Sequence, residues 1–221
     1  MAITTVLFDF DGVIADTENG VNVYLQETFS KYGITLTQEQ LNSYIGTDGR
    51  KQTAKILKDN NKNVTVEEFF VERNKLGNYY ENSPLLKPME NLPTFLDRLN
   101  QKGIKLGLVS STNSKLIVTA LNRMQLVHYF EVIVCGDMVK NKKPDPEPYL
   151  KAMEFLGVSP EDCVIVEDSP TGIEAGLKTG AVVVGFKGSE IPQDTSTAHI
   201  QWHSFQEATK QLDNGAPIAF I

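Results

Sequence analysis

Five short apolar runs restrict the possible folds of this chain more than any other feature. They are Ile3–Phe8, Ile104–Val109, Val132–Val134, Cys163–Val166 and Ala181–Phe186. Val, Ile and Leu dominate them, and they do not alternate with polar residues, the pattern of parallel strands covered on both faces. Helical patterns lie between them. Asn91–Lys102 carries Leu92, Phe95, Leu96 and Leu99 and stops at Gly103. Lys115–Met124, Pro146–Leu156 and Pro170–Thr179 follow, the last two stopped by Gly157 and Gly180. This β-α-β-α order predicts an α/β fold, a doubly wound parallel Rossmann-like sheet with right-handed crossovers.

One stretch breaks the alternation. From Thr17 to Leu86 only helical patterns occur. Val21, Leu25, Phe29 and Tyr32 form a stripe ended by Gly33, and Thr37 with Gln40 and Thr65 with Glu68 read as capping boxes. Such a length of helix is too long for an ordinary crossover. It predicts an inserted all-helical cap domain over residues 16–86, with a core domain of residues 1–15 and 87–221. Hinges are expected near Ala15–Thr17 and Leu86–Pro88. The stretch Asn214–Pro217 reads as a loop or tail.

Composition excludes several partners. The net charge is −7, from 21 basic and 28 acidic side chains, which argues against nucleic acid or an anionic membrane. The Ile3–Phe8 run is too short for a signal or membrane segment, so a cytoplasmic protein is expected. A monomer or weak homodimer is expected. Cys135 and Cys163 lie at the edges of apolar runs and read as buried thiols.

The polar residues just after the strands carry the chemistry. Asp9 and Asp11 follow the first run at i, i+2 spacing, so in an extended backbone they project to the same side. Gly12 allows the chain to turn there. A polar strand end with a turn would look the same, so this pair alone does not separate a site from a turn. The second run is followed by Ser110-Ser111-Thr112-Asn113 at a helix start, where backbone N–H groups favour an anion; plain N-capping by Thr112 or Asn113 gives the same pattern. The third is followed by Lys143, stiffened by Pro144 and Pro146, with Lys140 and Lys142 reading as solvated. The fourth is followed by Glu167-Asp168-Ser169, acids suited to a hard cation, with Ser169 placed to cap the next helix.

Strand ends on one edge of an open α/β sheet converge on its ligand site. Two carboxylates about 4 Å apart repel by roughly 4 kcal/mol at an effective dielectric of 20. Asp9, Asp11 and Asp168 together therefore predict Mg²⁺, with Lys143 and a phosphoryl group. The residues do not say which of Asp9 and Asp11 attacks.

Asp9-Phe10-Asp11-Gly12-Val13 with Asp16-Thr17, Val109-Ser110, Lys143-Pro144 and Val166-Glu167-Asp168-Ser169 together resemble the haloacid dehalogenase (HAD) superfamily. The helical insert is similar to the small cap of its β-phosphoglucomutase-like phosphatases. The resemblance implies a Mg²⁺-dependent phosphatase acting on a small phosphorylated metabolite, a sugar phosphate above all. It implies Asp9 as nucleophile, Asp11 as general acid and base, Ser110 as a phosphate ligand and Lys143 as the neutralising cation. It places Mg²⁺ on Asp9, the Asp11 main-chain carbonyl and Asp168, with Glu167 nearby or reaching it through water. Thr17, Glu18, Arg50, Lys75, Ser111, Thr112 and Asn113 are the candidate substrate contacts, although Arg50 and Lys75 also read as solvated helix charges, and Glu18 also as a cap of its helix.

Asp11 argues against the dehalogenase and phosphonatase branches, which lack an acid at that position. A β-phosphoglucomutase-type mutase is the alternative. That group carries a histidine shortly after the Asp-Thr pair, whereas here Glu18-Asn19-Gly20-Val21-Asn22 follows Thr17 and the histidines are His128, His199 and His203. A catalytically silent phosphometabolite-binding protein is the alternative of another class; the presence of Asp9, Asp11, Ser110 and Lys143 speaks against it.

Overall fold

The structure, a computed structural model, describes residues 3–44, 49–191 and 193–218, without the side chains of residues 18, 19 and 21. The chain divides into two compact units, Met1–Asp16 with Leu86–Ile221, and Thr17–Leu85.

The first unit is built on a six-stranded sheet in the order β3-β2-β1-β4-β5-β6. The strands are β1 (Thr5–Phe8), β2 (Lys105–Val109), β3 (Val132–Val134), β4 (Cys163–Glu167), β5 (Val182–Phe186) and β6 (Ile200–Trp202). Every pairing is parallel. β1 lies between β2 and β4, so the order reverses beside it, where an open α/β sheet forms its ligand crevice.

Both faces of the sheet are covered, which is why the strand residues need not alternate. On one face Leu7, Val109 and Ile165 pack with Tyr149, Ala152, Met153 and Ile173, from α8 (Glu147–Leu156) and α9 (Pro170–Thr179). On the other, the Phe8 ring meets Phe95 edge-on at 6.5 Å and Phe205 at 6.4 Å, from α6 (Leu92–Gln101) and α10 (Phe205–Asp213). Leu7 and Phe8 are thus split between the faces, as the two-residue period of a strand requires. The remaining core helix, α7 (Ser114–Arg123), buries Ile117, Ala120 and Leu121.

The final pair, β6 and α10, is an addition to the sequence expectation. β6 has only three residues at the sheet edge. The signal for α10 was present: Ser204 accepts from Glu207 N at 3.2 Å, and Phe205, Ala208 and Leu212 form its buried stripe. Cys135 and Cys163 are free and buried.

The second unit contains α1 (Thr17–Lys31), α2 (Gln38–Asn42), α3 (Arg50–Asp59), α4 (Val66–Lys75) and α5 (Tyr79–Asn82). Leu25, Phe29, Ile34, Leu36, Ile56, Leu57 and Phe69 form its core, with the Phe29 and Phe69 rings 4.3 Å apart. Both capping boxes form, on Thr37 with Gln40 and on Thr65 with Glu68. Among the described residues, no helix is long and apolar enough to cross a membrane.

Candidate active site

The site begins where the strand ladders end. Asp9 N still donates to Val166 O at 2.9 Å, and Ser110 N to Val134 O at 2.9 Å. The next side chains leave the sheet together at the edge of β1, β2 and β4. After Asp9 the chain folds back on itself: Ile14 N and Ala15 N donate to Phe10 O, and Gly12 N donates to Ala15 O. Gly12 has φ +77°, and a side chain there would strike the Asp168 carboxylate. Only glycine therefore admits the close approach of the β1 loop to Asp168.

Lys143 is the hub. Its Nζ donates to Asp9 Oδ1 at 2.5 Å, to Glu167 Oε1 at 2.7 Å and to the Val109 carbonyl at 3.0 Å. Those three bonds use all three ammonium protons. The Lys143 side chain is 4% exposed and that of Glu167 1%. The Lys143-Pro144 peptide is cis.

Glu167 is saturated. Lys143 and the Tyr149 hydroxyl share Oε1, the latter at 2.8 Å. Asp168 N, Ser169 N and Ser169 Oγ donate to Oε2 at 3.1, 3.2 and 3.0 Å. Both oxygens thus meet protein donors, Lys143 among them. Ser169 also caps α9, accepting from Gly172 N at 3.1 Å.

Asp11 is less buried and accepts from Thr112 Oγ1 at 3.3 Å. Ser110 is buried, and its Oγ accepts from Thr112 N at 3.1 Å. Asn113 caps α7, accepting from Leu116 N at 3.1 Å. Ser111 is exposed, and its carbonyl lies 3.5 Å from Lys142 Nζ.

The electrostatics of the cluster suit a cation. Burial pushes the Asp9 carboxyl up to about 8; Lys143 pulls against this, and repulsion from Glu167 and Asp11 adds to it. Burial alone would lower Lys143, but Asp9 and Glu167 outweigh it and hold the ammonium well above its ordinary value. Asp9, Glu167 and Asp168 bring ligand oxygens within 4.8 Å of one another, all buried, and the Lys143 ammonium meets the first two. An all-oxygen, excess-negative cluster fits a hard divalent cation.

The other sequence candidates lie in the second unit. Thr17 is the buried first residue of α1. The Glu18 side chain lies outside the described residues. Arg50 is exposed, 3.2 Å from Glu67 and stacked over Phe70. Lys75 is exposed and paired with Glu72. Both cations already have a carboxylate partner. Tyr149 was not singled out in the sequence: it lies in a helical stripe and reads there as core.

The geometry has a match among known proteins. The family model described as haloacid dehalogenase-like hydrolase covers residues 6–186, which include all the strand-end residues above. The chain belongs to the haloacid dehalogenase-like hydrolases. Its named relatives are phosphatases. A phosphoglycolate phosphatase of Aquifex aeolicus is 35% identical over 178 residues, 79% of this chain and 80% of the relative. A phosphorylated carbohydrates phosphatase of Thermotoga maritima is 35% identical over 177 residues, 79% of this chain and 81% of the relative. Among solved structures, a candidate β-phosphoglucomutase from Thermotoga maritima superposes with TM-score 0.80 at 29% identity, over 98% of this chain and 100% of that one. This HAD hydrolase therefore has the parallel Rossmann-like core and inserted helical cap of its family.

Proposed function

We propose that this HAD hydrolase is a Mg²⁺-dependent phosphomonoesterase that transfers the phosphoryl group of a small phosphorylated metabolite to Asp9 and then to water. The observation that carries the reading is the Lys143–Asp9 contact at 2.5 Å, with a second carboxylate, Asp11, two residues on. Lys143 holds Oδ1 and leaves Oδ2 of Asp9 for attack at phosphorus. As the P–O bond of the ester breaks, Asp11 gives its proton to the leaving alkoxide, which departs as the alcohol. Asp11, now ionised, takes a proton from water as the water oxygen attacks the aspartyl phosphate. Phosphate leaves and the Asp9 carboxylate is restored. Thr112 directs Asp11 through its hydroxyl, and Ser110 donates to a phosphoryl oxygen.

Asp9, the Asp11 main-chain carbonyl and Asp168 would hold Mg²⁺, which supplies the positive charge that lets a dianionic phosphate approach three acids. Gln193 Nε2, 3.5 Å from Asp168 Oδ2, stands beside that set. The phosphorylated-carbohydrate phosphatase relative supports the sugar-phosphate class, and the phosphoglycolate phosphatase relative supports a small phosphorylated metabolite. A β-phosphoglucomutase activity is the second reading, favoured by the structural neighbour. The His199 ring accepts from Val183 N at 3.0 Å and is thus tied to β5, and residues 18–22, just after Thr17, include no histidine.

The test is phosphate release from a panel of sugar phosphates and phosphoglycolate, with and without Mg²⁺. Glucose 1-phosphate with its bisphosphate activator is included for the mutase. Turnover should need Mg²⁺, stop on chelation, and be lost in Asp9→Asn while the circular dichroism spectrum is unchanged. Activity above a trace in Asp9→Asn rules out the covalent route.

A further inference from the structure

We infer that Tyr149 is a positioning residue of the active site, holding the Glu167–Lys143 pair in the geometry that serves Asp9 without touching the substrate. The inference rests on the reading of Asp9 and Lys143 given above. Tyr149 is fully buried among Leu7, Val109, Ala152 and Ile173, surroundings that would accept phenylalanine. A hydroxyl buried there is costly unless it is bonded. Its hydrogen bond goes to Glu167 Oε1, the same oxygen that receives Lys143. The Lys143 ammonium also lies 4.8 Å from the centre of the Tyr149 ring. Tyr149 therefore holds both members of the pair, one by its hydroxyl and the other by its ring face.

The consequence concerns charge sharing. Lys143 is divided between Asp9 and Glu167. A second donor on Glu167 Oε1 neutralises part of that oxygen's charge and weakens its pull on the ammonium. More of the lysine's field is then directed at Asp9 and the phosphoryl group it receives. Removing the hydroxyl moves Lys143 toward Glu167 and away from the reacting oxygen. A structural tyrosine would instead affect stability, with no selective effect on kcat.

The experiment is steady-state hydrolysis of p-nitrophenyl phosphate with Mg²⁺ by wild type, Tyr149→Phe, Glu167→Gln, the double variant and Asp9→Asn, with melting curves for each. A hydrogen bond to a charged group, partly realised in the transition state, corresponds to a roughly tenfold loss. Tyr149→Phe should lower kcat about tenfold and leave KM within about twofold. In the Glu167→Gln background the same change should have little further effect. Wild-type kcat in Tyr149→Phe, a loss residing in KM, or additive losses in the double variant would overturn the inference. The kcat-against-KM split of the single variant decides the matter even where Glu167→Gln is too unstable to assay. Asp9→Asn separates the two levels: its activity tests the covalent reaction, whatever Tyr149→Phe does.

Discussion

Gly172→Ala is a one-methyl change in the first turn of α9 that should disable a site to which Gly172 contributes no side chain. A Cβ at this position would overlap both oxygens of the Glu167 carboxylate. Glu167 cannot yield easily, since five donors hold it and it is fully buried. Moving the carboxylate far enough to clear a methyl should break about two of those bonds. Each charge-assisted bond is worth about 1.5–3 kcal/mol. The substitution also gains about 1 kcal/mol of helix propensity. The net is a loss of about 3 kcal/mol, or a melting temperature lower by about 6–12 °C for a chain of this size. Lys143 would lose its anchor on Glu167, so kcat should fall by about tenfold or more. The assays are a thermal melt and Mg²⁺-dependent phosphate release, beside Thr171→Ala, an exposed neighbour on the same turn, as control. A Gly172→Ala enzyme that melts and turns over like wild type would refute the claim that Glu167 is immobilised.

Other substitutions probe the same charges and the buried thiols. Lys143→Met leaves Asp9 and Glu167 facing each other without their ammonium, and one-sided removal of a buried pair costs about 3–5 kcal/mol. A urea titration should show that loss, with turnover abolished. Burial pushes Cys135 up to about 11 and Cys163 up to about 12, so at pH 8 neither should react with a thiol reagent until the protein unfolds. The native state keeps both protons longer than the unfolded chain. Stability from these thiols is therefore unchanged below pH 9.0 and falls as the pH climbs toward 11 and 12, which alkaline melts of Cys135→Ala and Cys163→Ala would reduce.

Strands buried on both faces announce themselves. β1, β2, β4 and β5 are predominantly apolar runs because helices cover each side, and their order with the intervening helices is legible before any coordinates. β6 was not legible, for a physical reason. It is three residues long, with Gln201 between Ile200 and Trp202, and its contribution is to pair with β5 and bring Trp202 to 5.3 Å from Phe95. Nothing local distinguishes such a segment from a loop. Its strand character comes from the sheet edge it meets, a tertiary effect that overrides weak local preference.

The site divides along the same line. Asp9, Ser110 and Asp168 are visible because each follows an apolar run at a strand end, where side chains converge, and Lys143 because Pro144 and Pro146 stiffen its loop. Tyr149 interrupts nothing. It sits at a core position of α8, and only its oxygen distinguishes it from phenylalanine. Glu167 is visible as an acid, but its partners are not: in space its oxygens meet Lys143, Tyr149 and the turn at Ser169. Glu167 ends β4 and Asp168 follows it, and the two carboxylates meet different partners. Asp168 faces the β1 loop at Gly12, and Glu167 turns toward α8 and α9. On the proposed reading Asp168 would hold Mg²⁺, while Glu167 meets the ammonium that the chain itself carries.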